Sequence, residues 1–214
     1  MSEKINRVDS IVQVTEHKHL NFFELTARKP TGKCFPYYVA SRSRSPEELY
    51  MNNPEKKPDG VVIYSLYGEK KDKVVLIRQF RYPVNDYVYE FPAGLVENGE
   101  DFHTAAQREM KEETGLDFTG LPVHPAYEKA FFTTDGMTDE RCSMVYGYAQ
   151  GTVSREGLEE SEDIEVILAD RKEAARILKE EQVALMCAYM LMHFIADDED
   201  PFAFLASGQI ADYH

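Results

Sequence analysis

Apolar residues recur along the chain in short runs separated by polar turns, a pattern typical of strands. Three alternating segments near the amino end, residues 11–14, 22–26 and 37–40, predict a small antiparallel sheet. The polar stretch 42–60 contains three prolines and predicts a boundary. We therefore expect a small amino-terminal β subdomain of residues 1–57 and a larger domain of residues 58–214.

The larger domain contains both predicted strands and predicted helices. Strand patterns cover residues 61–67, 73–80, 143–149 and 164–168, with a further strand near 122–132 and a tight segment at 88–93. Helical patterns cover residues 171–181 and 183–196. This order predicts an α+β fold, an αβα sandwich with a mixed sheet between helices. The longest apolar run, VALMCAYMLMHFIA, is too short for a bilayer, so no membrane partner is expected.

A further helix is predicted between Asp101 and Gly115. Asp101 is a candidate N-cap, and Gly115 is the expected left-handed residue after the last turn. An apolar stripe would fasten this helix to the sheet and leave its other face free; the stripe consists of Phe102, Ala105, Ala106 and Met110.

The free face of this helix carries Glu109, Glu112 and Glu113 at i, i+3 and i+4 spacing. These side chains are neighbours with Cβ atoms about 5 to 6 Å apart, so their charges repel one another. A divalent cation would remove the repulsion, and oxygen ligands without His or Cys favour Mg²⁺ or Mn²⁺ over zinc. The alternative is an ordinary solvated acidic helix.

The stretch from Gly94 to Leu116 resembles the Nudix signature at every fixed position, namely Gly94, Glu100, Arg108, Glu109, Met110, Glu112, Glu113, Gly115 and Leu116. The resemblance implies a metal-assisted hydrolase of a nucleoside diphosphate linked to another moiety, with metal ions held by Glu109, Glu112 and Glu113. Arg108 would hold the carboxylates in place through charge-assisted hydrogen bonds. Glu100 would have a further metal-binding or supporting role.

Segments just upstream are similar to the branch of this family that cleaves ADP-ribose and nucleotide sugars. They are Gln79-Phe80-Arg81 and Glu90-Phe91-Pro92-Ala93-Gly94. By this resemblance Arg81 and Glu90 belong to the substrate site, and the carbonyl of Ala93 is a metal ligand. An ion pair for Arg81 and a structural role for Glu90 are the alternatives. Members of this branch are dimers that exchange amino-terminal segments, so a homodimer is expected.

A second acidic cluster, residues 157–163, precedes the strand pattern at 164–168. In the relatives a glutamate on this loop positions or deprotonates water, and a neighbour reaches a metal. Glu160 and Glu162 both align with that base, and Glu162 is also a candidate metal ligand. A solvated acidic turn is the alternative.

The loop 133–141 bears on the substrate. ADP-ribose pyrophosphatases commonly carry a proline where this chain has Asp135. ADP-ribose, ADP-sugars, GDP-mannose and UDP-glucose therefore stay open as substrates, with a nucleoside monophosphate and a sugar phosphate as products. Gly136 and Glu140 are candidate substrate contacts on this loop.

Composition excludes other classes of function. The net charge of −14 and the lack of clustered Lys and Arg argue against a nucleic-acid polymer as partner. Three widely spaced cysteines without metal-type spacing are expected in the core and indicate a reducing cytoplasm. Two other functions compete: a house-cleaning nucleoside triphosphate pyrophosphatase, and a non-catalytic nucleotide-sensing Nudix protein.

Overall fold

The computed structural model describes residues 5–160, 162–197 and 199–205, which form two compact units. The first unit comprises the described residues up to 59 together with 130–142, and the second comprises those of 60–129 and 143–205. The predicted division into residues 1–57 and 58–214 stays a prediction. None of the described helices is both long and apolar enough to cross a membrane.

Among the described residues, seven strands precede the first α-helix, and the remaining strands and helices are interspersed after it. The strands are β1 (Val8–Gln13), β2 (Asn21–Arg28), β3 (Cys34–Ser41), β4 (Gly60–Tyr67), β5 (Lys73–Arg81), β6 (Asp86–Glu90), β7 (Ala93–Leu95), β8 (Asp117–Gly120), β9 (Phe131–Phe132), β10 (Arg141–Gln150) and β11 (Ile164–Ala169). The α-helices are α1 (Phe102–Thr114), α2 (Pro125–Glu128), α3 (Arg171–Glu180) and α4 (Leu185–Ala196), and short 3₁₀ turns lie at Pro46–Glu48 and Ala203–Leu205.

The first unit contains an antiparallel sheet in the order β1-β2-β3, as the alternating pattern predicted. One face of this sheet buries Phe23, Leu25 and Val39 against Leu49, which follows the 3₁₀ turn. The segment 130–142 belongs to the same unit, since the amide of Ala40 donates to the carbonyl of Met137 at 3.0 Å.

The second unit contains a mixed sheet in the order β11-β5-β4-β10-β8, with β6 paired to β5 and β7 paired to β4. Residues of β4 alternate between its two faces. Ile63 packs in the core beneath α1. Tyr64 packs on the other side, 5.2 Å from the ring of Phe202 and near Arg171, the first residue of α3. Helices therefore cover both faces, and the predicted α+β fold class is confirmed.

Two local expectations were wrong. Residues 122–132 do not form one strand, because Pro125 starts the short helix α2 and the strand lies earlier, at β8. Proline fits the first turn of a helix, where its missing amide hydrogen needs no acceptor. The cysteines do not all lie in the core: Cys187 is buried, whereas Cys34 is exposed.

Candidate active site

Helix α1 begins and ends at the residues that the sequence predicted. The side chain of Asp101 accepts a hydrogen bond from the amide of His103 at 3.0 Å. Gly115 has a φ of 75° and donates its amide to the carbonyl of Lys111. The apolar stripe is buried in the core, with Ala105, Ala106 and Met110 at its centre. Packing of this stripe therefore fixes the position of the helix on the sheet and leaves the opposite face free.

Arg108 connects the acidic side chains of this helix to the preceding loop. A guanidinium has five N–H donors, and each of them has an acceptor here. Nε donates to Glu100 Oε1 (3.1 Å), Nη1 to Glu109 Oε1 (2.8 Å) and Glu112 Oε2 (2.9 Å), and Nη2 to Leu95 O (2.9 Å) and Glu100 Oε2 (3.0 Å). These bonds hold the pKa of Glu100 below its usual value. Arg108 thus fixes two carboxylates of the helix to the loop.

Glu109 lies directly against the backbone of Gly94. A β-carbon built on Gly94 would stand 1.9 Å from Cδ of Glu109, so a larger residue at position 94 would displace the carboxylate. Burial is the main cause that raises the pKa of Glu109, and Arg108 opposes the shift. The glycine of the signature is needed here for close approach rather than for an unusual backbone angle.

Glu113 is the most buried carboxylate of the cluster, with 3% of its surface exposed. Its Oε2 accepts a hydrogen bond from the amide of Ala93 at 3.0 Å. Burial raises the pKa of Glu113 well above its usual value, and the nearby charges of Glu109 and Glu162 add to the shift. The folded chain therefore gathers several carboxylates at this point, and the charge of Arg81 opposes only part of the shift.

Arg108, Glu109 and Glu112 line a cleft of about 420 Å³ that is built entirely within the second unit. Five glutamates and one arginine line it together with the strand β7; these side chains are Glu97, Glu109, Glu112, Glu159, Glu162 and Arg108. The cleft is therefore strongly acidic, and its acceptors are oxygen atoms.

The loop 157–163 brings Glu162 to this cleft. Glu162 lines the cleft and accepts a hydrogen bond from the amide of Glu159 at 3.0 Å. Glu160 is exposed and is not among the residues that line the cleft. The loop approaches the helix closely, since a β-carbon on Gly157 would stand 2.7 Å from the carbonyl oxygen of Glu112.

Arg81 and Glu90 form an ion pair at the edge of the same region. Arg81 Nε donates to Glu90 Oε1 at 2.8 Å, and Nη2 donates to Glu90 Oε2. This pairing raises the pKa of Arg81, and the charges of Glu113 and Glu162 contribute to the shift. Arg81 thus lies within electrostatic reach of the acidic cleft.

Gly136 and Glu140 lie in the first unit. Glu140 pairs with Arg42 at 2.9 Å and accepts a hydrogen bond from Thr133 Oγ1 at 2.9 Å. The carbonyl of Gly136 accepts a hydrogen bond from the hydroxyl of Tyr37 at 2.7 Å. Both residues thus have structural partners within their own unit.

The cleft fits a hard divalent cation by its chemistry. Among the described residues, no three His, Cys, Asp or Glu side chains converge as a ready set of ligands. The fit rests on ligand type and charge. The lining carboxylates offer oxygen ligands, and their negative charges outnumber the one positive charge of Arg108. Burial and the neighbouring carboxylates raise the pKa of both Glu109 and Glu113, and a bound cation would oppose this shift.

Three contributors to the site were not predicted from the sequence. They are the carbonyl of Leu95, which accepts from Arg108, the side chain of Glu159 and the close packing of Gly157. A glycine inside an acidic loop was a usable signal for close approach. The role of a backbone carbonyl has no signal in residue identity.

Comparison with known proteins places the chain in a family. The NUDIX domain model matches residues 56–188. The ADP-ribose pyrophosphatase of Saccharomyces cerevisiae is 56% identical over 145 residues, covering 66% of this chain and 58% of that protein. The ADP-ribose pyrophosphatase of Bacillus subtilis is 27% identical over 154 residues, covering 72% of this chain and 80% of that protein. The chain thus spans less than two thirds of the yeast relative.

Among solved structures, an ADP compounds hydrolase superposes with a TM-score of 0.60 over 91% of this chain and 95% of its own. At 16% sequence identity this likeness shows the fold alone. The domain model covers more than half of the chain and includes the cleft with Arg108 and Glu109. The chain therefore belongs to the NUDIX family of hydrolases.

Proposed function

We propose that this protein hydrolyses the pyrophosphate bond of ADP-ribose or a related nucleoside diphosphate sugar, with the help of Mg²⁺ or Mn²⁺. The oxygen of water forms a bond to one phosphorus while the bond from that phosphorus to the bridging oxygen breaks. The products are a nucleoside monophosphate and a sugar phosphate. The names of the yeast and Bacillus relatives support this class of substrate.

One observation carries the proposal. Arg108 uses all five N–H donors on the loop and the helix. The buried carboxylate of Glu113 lies near the charges of Glu109 and Glu162 and forms no ion pair within the described part of the chain. Such an arrangement is unfavourable unless positive charge is supplied from outside the chain. A pyrophosphate brings further negative charge, so a cation is needed by both partners.

The metal would be held by Glu109, Glu112 and Glu162, which line the cleft. We also assign to it the carboxylate of Glu113 and the carbonyl of Ala93. When bound, it supplies positive charge that offsets the two phosphates and makes a water molecule more acidic. Arg108 keeps Glu109 and Glu112 in position for this task through its hydrogen bonds.

The general base is assigned to Glu162 in preference to Glu160. Glu162 lines the cleft and acts electrostatically on Glu109 and Glu113, whereas Glu160 is exposed. We assign substrate contacts to Arg81, oriented by Glu90. Gly136 and Glu140 stay proposed contacts on the loop of the first unit.

We also propose a homodimer formed through the amino-terminal sheet. Its outer face exposes Val12, Phe22 and Tyr38, with 59%, 41% and 49% of their surfaces accessible, and the last two rings stack at 5.7 Å. Apolar patches of this kind commonly form protein interfaces. Light scattering is expected to give twice the chain mass, and a value near 24.6 kDa would contradict the dimer.

The substrate is tested with a panel of ADP-ribose, ADP-glucose, GDP-mannose, UDP-glucose, NADH and diadenosine polyphosphates, each with Mg²⁺ and Mn²⁺. We expect ADP-ribose or a nucleotide sugar to be cleaved fastest. Release of inorganic pyrophosphate from nucleoside triphosphates would support the house-cleaning alternative. Binding without turnover of any compound would support the sensor.

Glu113→Gln tests the assignment of the cleft. We expect kcat to fall by orders of magnitude while the far-ultraviolet circular dichroism spectrum stays unchanged. Glu69→Gln, in the exposed turn between β4 and β5, is the matched control and should keep full activity. A Glu113→Gln protein that retains most of its activity would rule out the proposed role.

A further inference from the structure

The turn between β1 and β2 is held in place by the buried side chain of Asn21, which is 3% exposed. Its Oδ1 accepts from the amide of His17 at 2.7 Å, and its Nδ2 donates to the carbonyls of His17 and Ser43 at 3.1 and 3.0 Å. One amide side chain therefore ties this turn to the segment that follows β3. The neighbours His17, Lys18 and Arg44 are carried on these two tied segments.

A cavity of about 320 Å³ lies between the tied segments, wholly inside the first unit. The residues that line it are Gln13, Glu16, His17, Lys18, Asn21 and Arg44. Among the lining side chains, Lys18 and Arg44 carry positive charge and Glu16 supplies the one carboxylate. The carboxylate of Glu48 lies outside the lining and accepts a hydrogen bond from the backbone amide of Arg44 at 2.7 Å. An excess of positive charge among lining side chains is unexpected in a chain with a net charge of −14.

The charged groups of this cavity are available to a ligand. Within the described part of the chain, neither the ammonium of Lys18 nor the guanidinium of Arg44 has an ion-pair partner. The amide of Gln13 is already used, since its Nε2 donates to the carbonyl of Thr15 at 2.9 Å. Because the tied backbone orders both segments beforehand, a ligand would lose less free energy in ordering them.

We propose that this cavity binds a phosphorylated sugar. Arg44 and Lys18 match a phosphate dianion, since guanidinium and ammonium groups form charge-assisted hydrogen bonds to phosphate oxygens. The carboxylate of Glu16 has no role toward a bare phosphate, but it accepts hydrogen bonds from sugar hydroxyls. The two cations and the one acceptor together select a ligand with a phosphate at one end and hydroxyls at the other.

Calorimetric titration tests the proposal with ribose 5-phosphate, inorganic phosphate and ribose as probes. EDTA is included so that no metal ion recruits phosphate to the acidic cleft. We expect saturable binding of ribose 5-phosphate, weaker binding of phosphate and none of ribose. Arg44→Gln and Lys18→Gln should each weaken ribose 5-phosphate binding about tenfold, which corresponds to the loss of one charged hydrogen-bonding partner.

Two further variants separate the parts of the site. Glu16→Gln should weaken binding of ribose 5-phosphate without weakening that of phosphate. Lys33→Gln, an exposed lysine of the β2–β3 turn in the same unit, is the matched control and should bind as the unmodified protein does. Equal binding by all four variants, or no saturable binding at all, would overturn the site. Binding of phosphate alone would overturn the assignment to a sugar phosphate.

Nuclear magnetic resonance locates the bound probe. Ribose 5-phosphate should shift the ring signals of His17, which lines the cavity, and leave those of His103 on α1 unchanged. Shifts at His103 without shifts at His17 would overturn the proposal. The test needs no turnover, so it is independent of the proposed hydrolase activity.

Discussion

The carboxylate of Glu109 rests on the backbone of Gly94, at a place where a single methyl group would stand 1.9 Å from the Glu109 Cδ. Arg108 holds the same carboxylate through a 2.8 Å hydrogen bond. Helix α1 and strand β7 thus contact each other through one acidic side chain, and position 94 has no space for a β-carbon. The geometry of the cleft depends on this contact.

Gly94→Ala is the direct test of the contact. The added methyl group should push the Glu109 carboxylate out of the cleft and lower kcat/KM about a hundredfold, because small displacements of catalytic groups have effects of that size. Gly120→Ala is the matched control, since its β-carbon would meet neighbours no closer than 3.8 Å. Similar activity in the two variants would show that the position of Glu109 is not critical.

Arg108→Lys should lower both activity and stability. Lysine has three donors in place of five, so acceptors among Glu100, Glu112 and Leu95 would lose their partner. We expect a loss of about 1 to 2 kcal/mol in the free energy of unfolding, measured in urea. Arg176→Lys, which pairs with three glutamates outside the cleft, is the control and should leave kcat unchanged.

Without metal, the buried Glu113 should make stability fall as pH rises. Its pKa in the folded state is raised, so the folded protein holds this proton more tightly than the unfolded chain does. The favourable contribution is complete below the ordinary value of 4.5 and is lost as the pH rises through the raised pKa. Urea unfolding in EDTA should show this slope, and Glu113→Gln should reduce it. Equal slopes in the two proteins would contradict the burial of a titrating carboxyl.

The pair of Arg81 and Glu90 should affect substrate binding more than turnover. Glu90→Gln removes the charge that orients Arg81 through two hydrogen bonds. We expect KM to rise about tenfold with little change in kcat, because an oriented arginine contributes to binding in both the ground state and the transition state. Glu165→Gln is the control. The partner of Glu165 is Arg78, 3.7 Å away, which lies on β5, the strand that also carries Arg81. A fall in kcat with unchanged KM would point to a role in chemistry instead.

The sequence by itself determined the elements whose signals are local. The ends of α1 follow from Asp101 and Gly115, because capping and left-handed geometry depend on the residue at one position. The acidic face of α1 follows from helical periodicity alone. The fold class follows from the order of strand and helix patterns, and the structure confirms it.

Only the tertiary structure decided which distant groups meet. Residue identities indicated that Arg108 contacts carboxylates, but not that it also binds the carbonyl of Leu95. The difference in burial between Glu160 and Glu162 arises from how a loop packs on α1, and the placement of residues 130–142 in the first unit arises from long-range pairing. Periodicity describes neighbours along the chain, whereas burial and charge depend on groups brought together from far apart in it. The sequence therefore determined the chemistry available, and the packing decided where that chemistry is concentrated.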